Sequence, residues 1–533
     1  MKIIFSLIIG LISIGDLASQ NSRFEVVLTP YNIENLGGIQ SYSVGTHEGE
    51  WLIVGGRLDG LHQRQPFASF SSDGNNLDII VVNPVSKKVW KKPLASLPTP
   101  IREQLSSTNM QFFQEGDRLI VTGGYGFSPS IDDHITYPYL TAIDLPSVIE
   151  DIKNGELSSD DFLQIEDESF QVAGGRLAKI GDAFFLVGGH RFMGRYNPMG
   201  PDHGPGFEQK YSNEIRRFTL DFDNGIQLDM RSPIHDEMHL RRRDYNLGPT
   251  MLNGEEGLMI YSGVFQNNAD LPWLYPVQIS DNNYVPREDF NQYFNHYHCA
   301  TLPIYLESED EMHTLFFGGI AQFYMDGNLL VQDNDVPFVN TISDVIQSES
   351  GVLSETVLNE KMPGYIGAGS EFIYSSDLEL YENGVLKEEA IGDDYVDVGY
   401  IYGGIRSSLP NIFWINDGTQ SEASSTIYKV SVRNRKSTAT NSPTASKEKL
   451  FFYPNPTQKF VKMSIDIDEV SDILVEIKDM NGMRIHSQNI LKDKVKIGHN
   501  MIVLDDVNIG FGAFLYTVKF GNKAITRKVI WSE

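Results

Sequence analysis

The chain has 533 residues, 41% of them hydrophobic and 11% aromatic, with a formal net charge of −28. That length exceeds one ordinary core and implies several domains or a repeat array, and the apolar content is enough to fill it. The acidic balance argues against nucleic-acid or anionic-membrane binding, since both need a basic face.

Residues 1–20, MKIIFSLIIGLISIGDLASQ, place Lys2 before an apolar stretch from Ile3 to Ile14 and then small residues around Ala18 and Ser19. This is the three-part pattern of a secretory signal peptide, with an apolar stretch too short for a membrane span. Exported proteins often carry disulfides, yet Cys299 is the only cysteine, so no intrachain bridge can form and stability must come from packing.

From 21 to 432 one phrase returns six times: LIVGG ending at Gly56, LIVTGG at Gly124, FFLVGG at Gly189, LMIYSG at Gly263, TLFFGG at Gly319 and YIYGG at Gly404. Each copy follows a strand rich in small residues, such as AGGRLAKI from Ala173 or YIGAGSEF from Tyr365. Each precedes a third strand, such as LDIIVVNP or STIYKVSV, and usually a fourth, more polar one, as in VWKKPLASLP. Four strands per unit, with units about 55 to 85 residues apart, is the pattern of a β-propeller. Small residues let inner strands crowd the axis, second strands are covered on both faces, and paired glycines permit a positive-φ turn. The apolar run, the Gly-Gly pair and a later Trp such as Trp90 resemble kelch repeats, with the doublet degraded to Ser262-Gly263 in the fourth unit. The sixth unit lacks an outer strand, and residues 23–30 of SRFEVVLTP are expected to supply it and close the ring.

Two segments interrupt the repeat. SVIEDIKNGELSSDDF (147–162) reads as a short helix stopped at Asn154-Gly155. Residues 375–394 lie between the first two strands of the sixth unit, and Glu382-Asn383-Gly384 suggests an added surface hairpin.

Residues 433–448 are polar and Ser/Thr-rich, a linker by composition. In 449–533, alternating strands and an Asn481-Gly482 turn imply a small β-sandwich. The ordered elements Tyr453-Pro454-Asn455-Pro456, Asp479-Met480-Asn481-Gly482, Gly498-His499-Asn500, the Gly512 to Tyr516 stretch and Lys528-Val529-Ile530 resemble the C-terminal sorting domain of the type IX secretion system of Bacteroidetes. The resemblance implies passage through both membranes, with the tail read by the secretion machinery and the protein left surface-attached or released. The expected fold is therefore all-β: a six-bladed kelch-like β-propeller followed by a small Ig-like β-sandwich.

In a propeller, the loop into each inner strand and the loop out of each second strand share one face. Arg57, His62, Tyr125, His190, Arg191, Arg195, Tyr196, Arg241, Arg242, Arg243, Tyr245, His296, Tyr297, His298 and Arg406 occupy those places. Arginine forks suit carboxylates and tyrosines offer flat surfaces, which points to a pocket for an acidic saccharide; the competing reading is that these side chains tie the sheets together. Arg57, His190, Arg191, Arg195, Arg243, Tyr245, His296, Tyr297, His298 and Arg406 are the ligand-binding candidates. Kelch-type propellers include copper-radical oxidases similar to galactose oxidase and sugar mutarotases, so a carbohydrate-active enzyme is the alternative. FNHYHCATLP holds the residue types of the copper site, but crowded onto one strand, whereas that family draws them from separate blades. Acidic turns such as SSDGNNLD lack the spacing of a calcium loop, and nucleophile elbow, P-loop, zinc pair and dinucleotide fingerprint are all missing. No cofactor is expected. The expected partners are the secretion machinery and a glycan or surface-protein ligand, at the cell surface or beyond it.

Overall fold

The structure, a computed structural model, describes residues 22–327, 329–435, 450–453, 461–467, 469–479, 483–504, 509–521 and 523–531. The signal segment, linker residues 436–448 and the motif residues Pro454, Asn455, Pro456, Met480, Asn481 and Gly482 lie outside the described residues. Two compact units divide between residues 436 and 437.

The first unit is a β-propeller with six main sheets, each built on four antiparallel strands; three of the six add a short fifth strand, and three two-stranded ribbons lie outside them. Sheet one comprises Ser43–His47, Glu50–Val54, Asp78–Asn83 and Lys88–Pro93. The inner strands of sheets two to six are Gln111–Glu115, Arg176–Ile180, Asn246–Leu252, Thr301–Leu306 and Tyr365–Tyr374. In the sixth sheet the outer strand is Phe24–Tyr31, which pairs antiparallel with Ile427–Asn434 and sets Val26 opposite Val432. Arg433 and Arg435 bind Glu25 of that strand, so the sixth sheet runs past the expected boundary at 432 and takes in the first linker residues.

Packing explains the repeated apolar phrase. Leu52 and Val54 of sheet one meet Leu119 and Val121 of sheet two, and Ile120 and Leu140 meet Leu186 and Phe218 of sheet three. Phe185 and Val187 then pack on Leu258 and Ile260, and Tyr261 on Phe316. Leu302 and Leu315 pack on Ile401 and Val430, and Ile53 and Val82 close the circuit on Tyr402 and Ile427. Every second strand is thus sandwiched between neighbours, which demands apolar side chains on both faces.

The glycine doublets turn the chain at the end of these strands. Both members have positive φ in all six sheets, for example 64° and 95° at Gly123 and Gly124. The second member's N–H bonds the next sheet in each case, as Gly124 N does to Val172 O at 2.9 Å and Gly404 N to Ile39 O at 2.9 Å. A Cβ at Gly123 would stand 1.9 Å from Val172 O, so a side chain is excluded there. In the fourth sheet Ser262 takes the first position at φ 56°, and its hydroxyl donates to Trp273 O at 2.7 Å.

The interruptions have structural roles. The helix spans Leu145–Lys153, with Asp144 accepting from Ser147 N at 3.1 Å as its N-cap. It buries Leu145, Val148, Ile149 and Ile152 in the core shared by sheets one and two. The 375–394 segment is not a free surface hairpin. Its Leu386–Lys387 strand pairs parallel with the inner strand of sheet five, Leu386 opposite Ile304, and Val385 and Leu386 are fully buried. Apolar Val385 and Leu386 follow the turn directly, and burying them outweighs exposure.

The second unit is a two-sheet sandwich. Leu450–Tyr453, Val461–Ile467 and Gly498–Leu504 form one sheet, and Arg484–Ile490, Ile473–Lys478, Gly512–Phe520 and Lys523–Trp531 the other. Val461, Met463, Ile473, Val475, Tyr516 and Val529 fill the space between them, and Trp531 Nε1 donates to the Tyr516 hydroxyl at 2.8 Å. Asp479 N–H donates to Met483 O, and the Asp479 carboxylate accepts from Met483 N. Tyr453 and Lys528 lie on terminal strands of this unit.

Candidate functional site

Six residues, five of them leading into the inner strands and Gly369 within one, form a closed circle of peptide hydrogen bonds. Asn109 N–H donates to Ser41 O (3.2 Å), Gly174 to Asn109 O (3.1 Å) and Asp244 to Gly174 O (2.7 Å). His298 donates to Asp244 O (2.9 Å), Gly369 to His298 O (3.0 Å) and Ser41 to Gly369 O (2.8 Å). Each sheet contributes one member, so the circle is a collar around the propeller axis.

One residue earlier in each segment stand Gln40, Thr108, Ala173, Arg243, Tyr297 and Ala368. Facing them, directly after the doublets, stand Arg57, Tyr125, His190, Val264, Ile320 and Ile405; four pairs are joined by single bridges such as Thr108–Tyr125 and Ala173–His190, Ala368 and Ile405 pair within the sixth sheet, and Tyr297 N donates to Ile320 O at 3.3 Å. This layer and the loops above it enclose a cavity of about 300 Å³. Gln40, Thr108, Ala173 and Ala368 at its base are buried, whereas His62, Arg64, Tyr196, Phe265 and Phe413 above are only partly buried.

Of the ten ligand-binding candidates, Arg57, His190, Arg243, Tyr297 and His298 line this cavity, together with Tyr125, His62 and Tyr196. The other five turn elsewhere. Arg191 binds Gln171 Oε1 at 2.8 Å and Glu208 at 3.1 Å, and Arg195 Nε donates to Ser69 O at 2.8 Å. Tyr245 is buried between sheets three and four with its hydroxyl on Val187 O, and Arg406 reaches Thr426 Oγ1 at 2.9 Å. His296 is fully buried between Gln292 O and Gln322 N. All five sit next in sequence to a residue of the lining or collar, and alternation along an extended chain sends neighbours to opposite sides. Arg241 donates to Phe265 O, and Arg242, fully buried, holds Ser262 O and Tyr275 O, so both brace the fourth sheet.

The cavity's charges are mostly compensated. Arg57 is forked onto Asp59 and also donates to Asn75 Oδ1 at 2.8 Å. Arg243 binds the Asp244 carboxylate and the Tyr211 hydroxyl, and lies 5.1 Å from the Phe265 ring centroid. Burial, with Arg243 and Arg57 nearby, lowers His62 to about 4, and burial with Arg243 takes His190 well below its usual value. Both imidazoles are therefore neutral at pH 7. Arg64 differs: its guanidinium has no carboxylate within ion-pair distance among the described residues and lies 4.1 Å from the Trp414 ring centroid.

Beneath the collar the space contracts to a chamber of about 20 Å³ lined by Tyr42, Met110, Arg176, His298 and Glu371. His298 Nε2 and Arg176 Nη1 lie 3.0 and 3.5 Å from Glu371 Oε1, and neither Nε2 nor that oxygen makes a well-aligned hydrogen bond. Burial and Arg176 lower the pKa of His298 against the pull of Glu371. Burial would raise Glu371, but His298 and Arg176 outweigh it and hold the carboxyl below its ordinary range. A neutral imidazole beside an ionised carboxylate results. Arg176 and Glu371 escaped the sequence reading; the available signal was a charged residue in an inner strand, where crowding favours small ones. Gln40, Asn109 and Asp244 escaped it too: they precede their doublets by 15, 14 and 18 residues, so no constant spacing marks them.

The copper-oxidase ligand set does not fit. Both His296 ring nitrogens are engaged by backbone, and Cys299 lies in the core of sheets four and five, its thiol pushed up to about 12 by burial. Among the described residues no group of three or more His, Cys, Asp or Glu side chains is arranged to hold a metal ion.

Residues 451–532 match the secretion system C-terminal sorting domain family. No curated protein sequence matches the chain. Among solved structures, one described as the structure of YjhT is similar at 14% identity and TM-score 0.33, covering 60% of this chain and 84% of its own. A fungal alcohol oxidase of the AA5 family, in complex with copper, is similar at 10% identity and TM-score 0.35, covering 95% of this chain and 98% of its own. The second unit is thus a secretion sorting domain, and it directs export by the type IX system to the cell surface or beyond.

Proposed function

We propose that the exported propeller is a saccharide-binding protein and that the axial cavity is its site. The observation that carries this reading is the make-up of the cavity: flat aromatic walls over a floor of hydroxyl, amide and neutral imidazole groups, in about 300 Å³. Ligand sites of this size combine apolar walls with a few fixed polar groups, and a polyhydroxylated ring needs both. Because Arg57 and Arg243 are already paired with Asp59 and Asp244, preference for an acidic sugar rests on Arg64. The test is a glycan array followed by calorimetry on the hits. His298→Gln, which keeps size and polarity at the floor, is expected to weaken binding about tenfold, roughly 1.4 kcal/mol. Unchanged affinity in this variant across every hit overturns the reading.

A second reading, a carbohydrate-active enzyme of mutarotase or epimerase type, rests on one observation: neutral His298, held beside ionised Glu371, borders the cavity. Such a pair takes a proton from a sugar hydroxyl more readily than a lone imidazole. Anomer exchange measured by NMR saturation transfer separates the two: acceleration that His298→Gln abolishes makes the protein an enzyme, and binding without acceleration leaves it a receptor.

A further inference from the structure

The cavity is a dead end for anything larger than water. Below the collar the roughly 20 Å³ chamber accommodates one water molecule, not a sugar ring. A polymer cannot thread the axis, so only its terminus enters.

The mouth carries a second feature. Loops 58–71, 194–207 and 408–420, which supply His62, Arg64, Tyr196 and Phe413 to the cavity, also expose large apolar side chains: Phe67 is 73% exposed, Trp414 64%, Ile415 56% and Met199 44%. Exposed apolar groups on loops that border a cavity fit a surface that is covered in use. Trp414 is held in place. Asn416 Nδ2 donates to Leu61 O at 2.8 Å and His62 O at 2.9 Å, and Asn416 O accepts from Arg64 N at 2.9 Å. The Arg64 guanidinium packs against the indole at 4.1 Å, leaving most of that side chain in solvent. Arg64 and the neighbouring Phe413 both line the cavity, so the indole continues its wall outward.

We propose that Trp414 and Arg64 form an outer subsite of a chain-end binding site. The terminal unit of an acidic oligosaccharide fills the cavity, while the next unit lies on the indole with its carboxylate at Arg64. An exposed aromatic and an arginine with no carboxylate partner among the described residues are the pair of groups such a unit needs. This rests on the saccharide reading of the cavity and adds to it the kind of saccharide and its direction of approach.

The test is calorimetry on the purified full chain with galacturonate and mannuronate as monomers and as oligomers of two to four units. Affinity is expected to rise at least tenfold from monomer to dimer for the series that binds. Trp414→Ala is expected to reduce the oligomers to the monomer's affinity while the monomer binds as before, and Trp414→Phe to keep most of the gain. His298→Gln weakens every length alike. Affinity independent of length overturns the outer subsite and leaves the cavity reading standing, as does loss of monomer and oligomer binding together in Trp414→Ala. Self-association that this variant abolishes assigns the patch to a second copy of the chain and also overturns the subsite. Failure of every uronate to bind removes the acidic-chain proposal, and the glycan array then decides separately whether the cavity binds saccharides at all.

Discussion

Ser262 and Gly318 occupy the same turn position in successive sheets, with φ of 56° and 68°, yet only one tolerates a side chain. A Cβ on Gly318 would stand 2.1 Å from Ile366 O, whereas the Ser262 hydroxyl bonds Trp273 O within its own sheet. Gly318→Ser is therefore expected to cost roughly 3 kcal/mol or more in urea unfolding, while Ser262→Gly stays within about 1 kcal/mol of the parent. Equal effects would show that the close approach between sheets is not what selects glycine. Cys299 is another residue-scale case. Its buried thiol, pushed up to about 12, belongs to the packing of Met259, Phe316 and Val345 and is not poised for chemistry.

The fifth sheet holds a buried titrating cluster that ties stability to pH. Burial opposes charge on His313, but Asp344 at 2.8 Å and Glu311 at 2.9 Å outweigh it and raise the imidazole to about 9. A group raised from its ordinary 6.5 contributes stability that is complete below that pH and lost as pH climbs through 9. Glu355 is raised by burial to about 8, so the folded state also holds its proton across the span from 4.5 to 8. Both effects have the same sign. Melting temperature is expected to fall as pH rises from about 5 to about 9. His313→Gln should flatten the upper part of that slope and Glu355→Gln the lower part, read by calorimetry at fixed ionic strength. A melting temperature that climbs over this range contradicts the assignment.

At the scale of the whole molecule, each unit has its own core, Val461 and Tyr516 among others in the sorting domain and the inter-sheet clusters in the propeller. Deleting 450–533 is therefore expected to leave the propeller's melting temperature within a few degrees of the parent while the protein accumulates inside the cell. Fractionation and calorimetry on the truncated protein check both halves, and normal export without the tail refutes the sorting role.

The order of the strands, the six returning phrases and the spare strand before Tyr31 were all present in the linear chain. They follow from local needs: a strand covered on both faces must be apolar, and a turn abutting a neighbour must lack a Cβ. The sorting tail was legible for the same reason, since its recognition elements are ordered along the chain. Which candidates share the cavity was decided only by tertiary structure. Around the collar a shift of one residue turns a side chain out of the cavity, which separates His190 from Arg191 and Tyr297 from His296. The electrostatic character of the site depended on folding as well. Arg176, His298 and Glu371 come from three different sheets, and only closure around the axis makes them one cluster. Periodicity along a chain specifies which element forms, whereas the partner of a buried charge is set by what the ring places across from it.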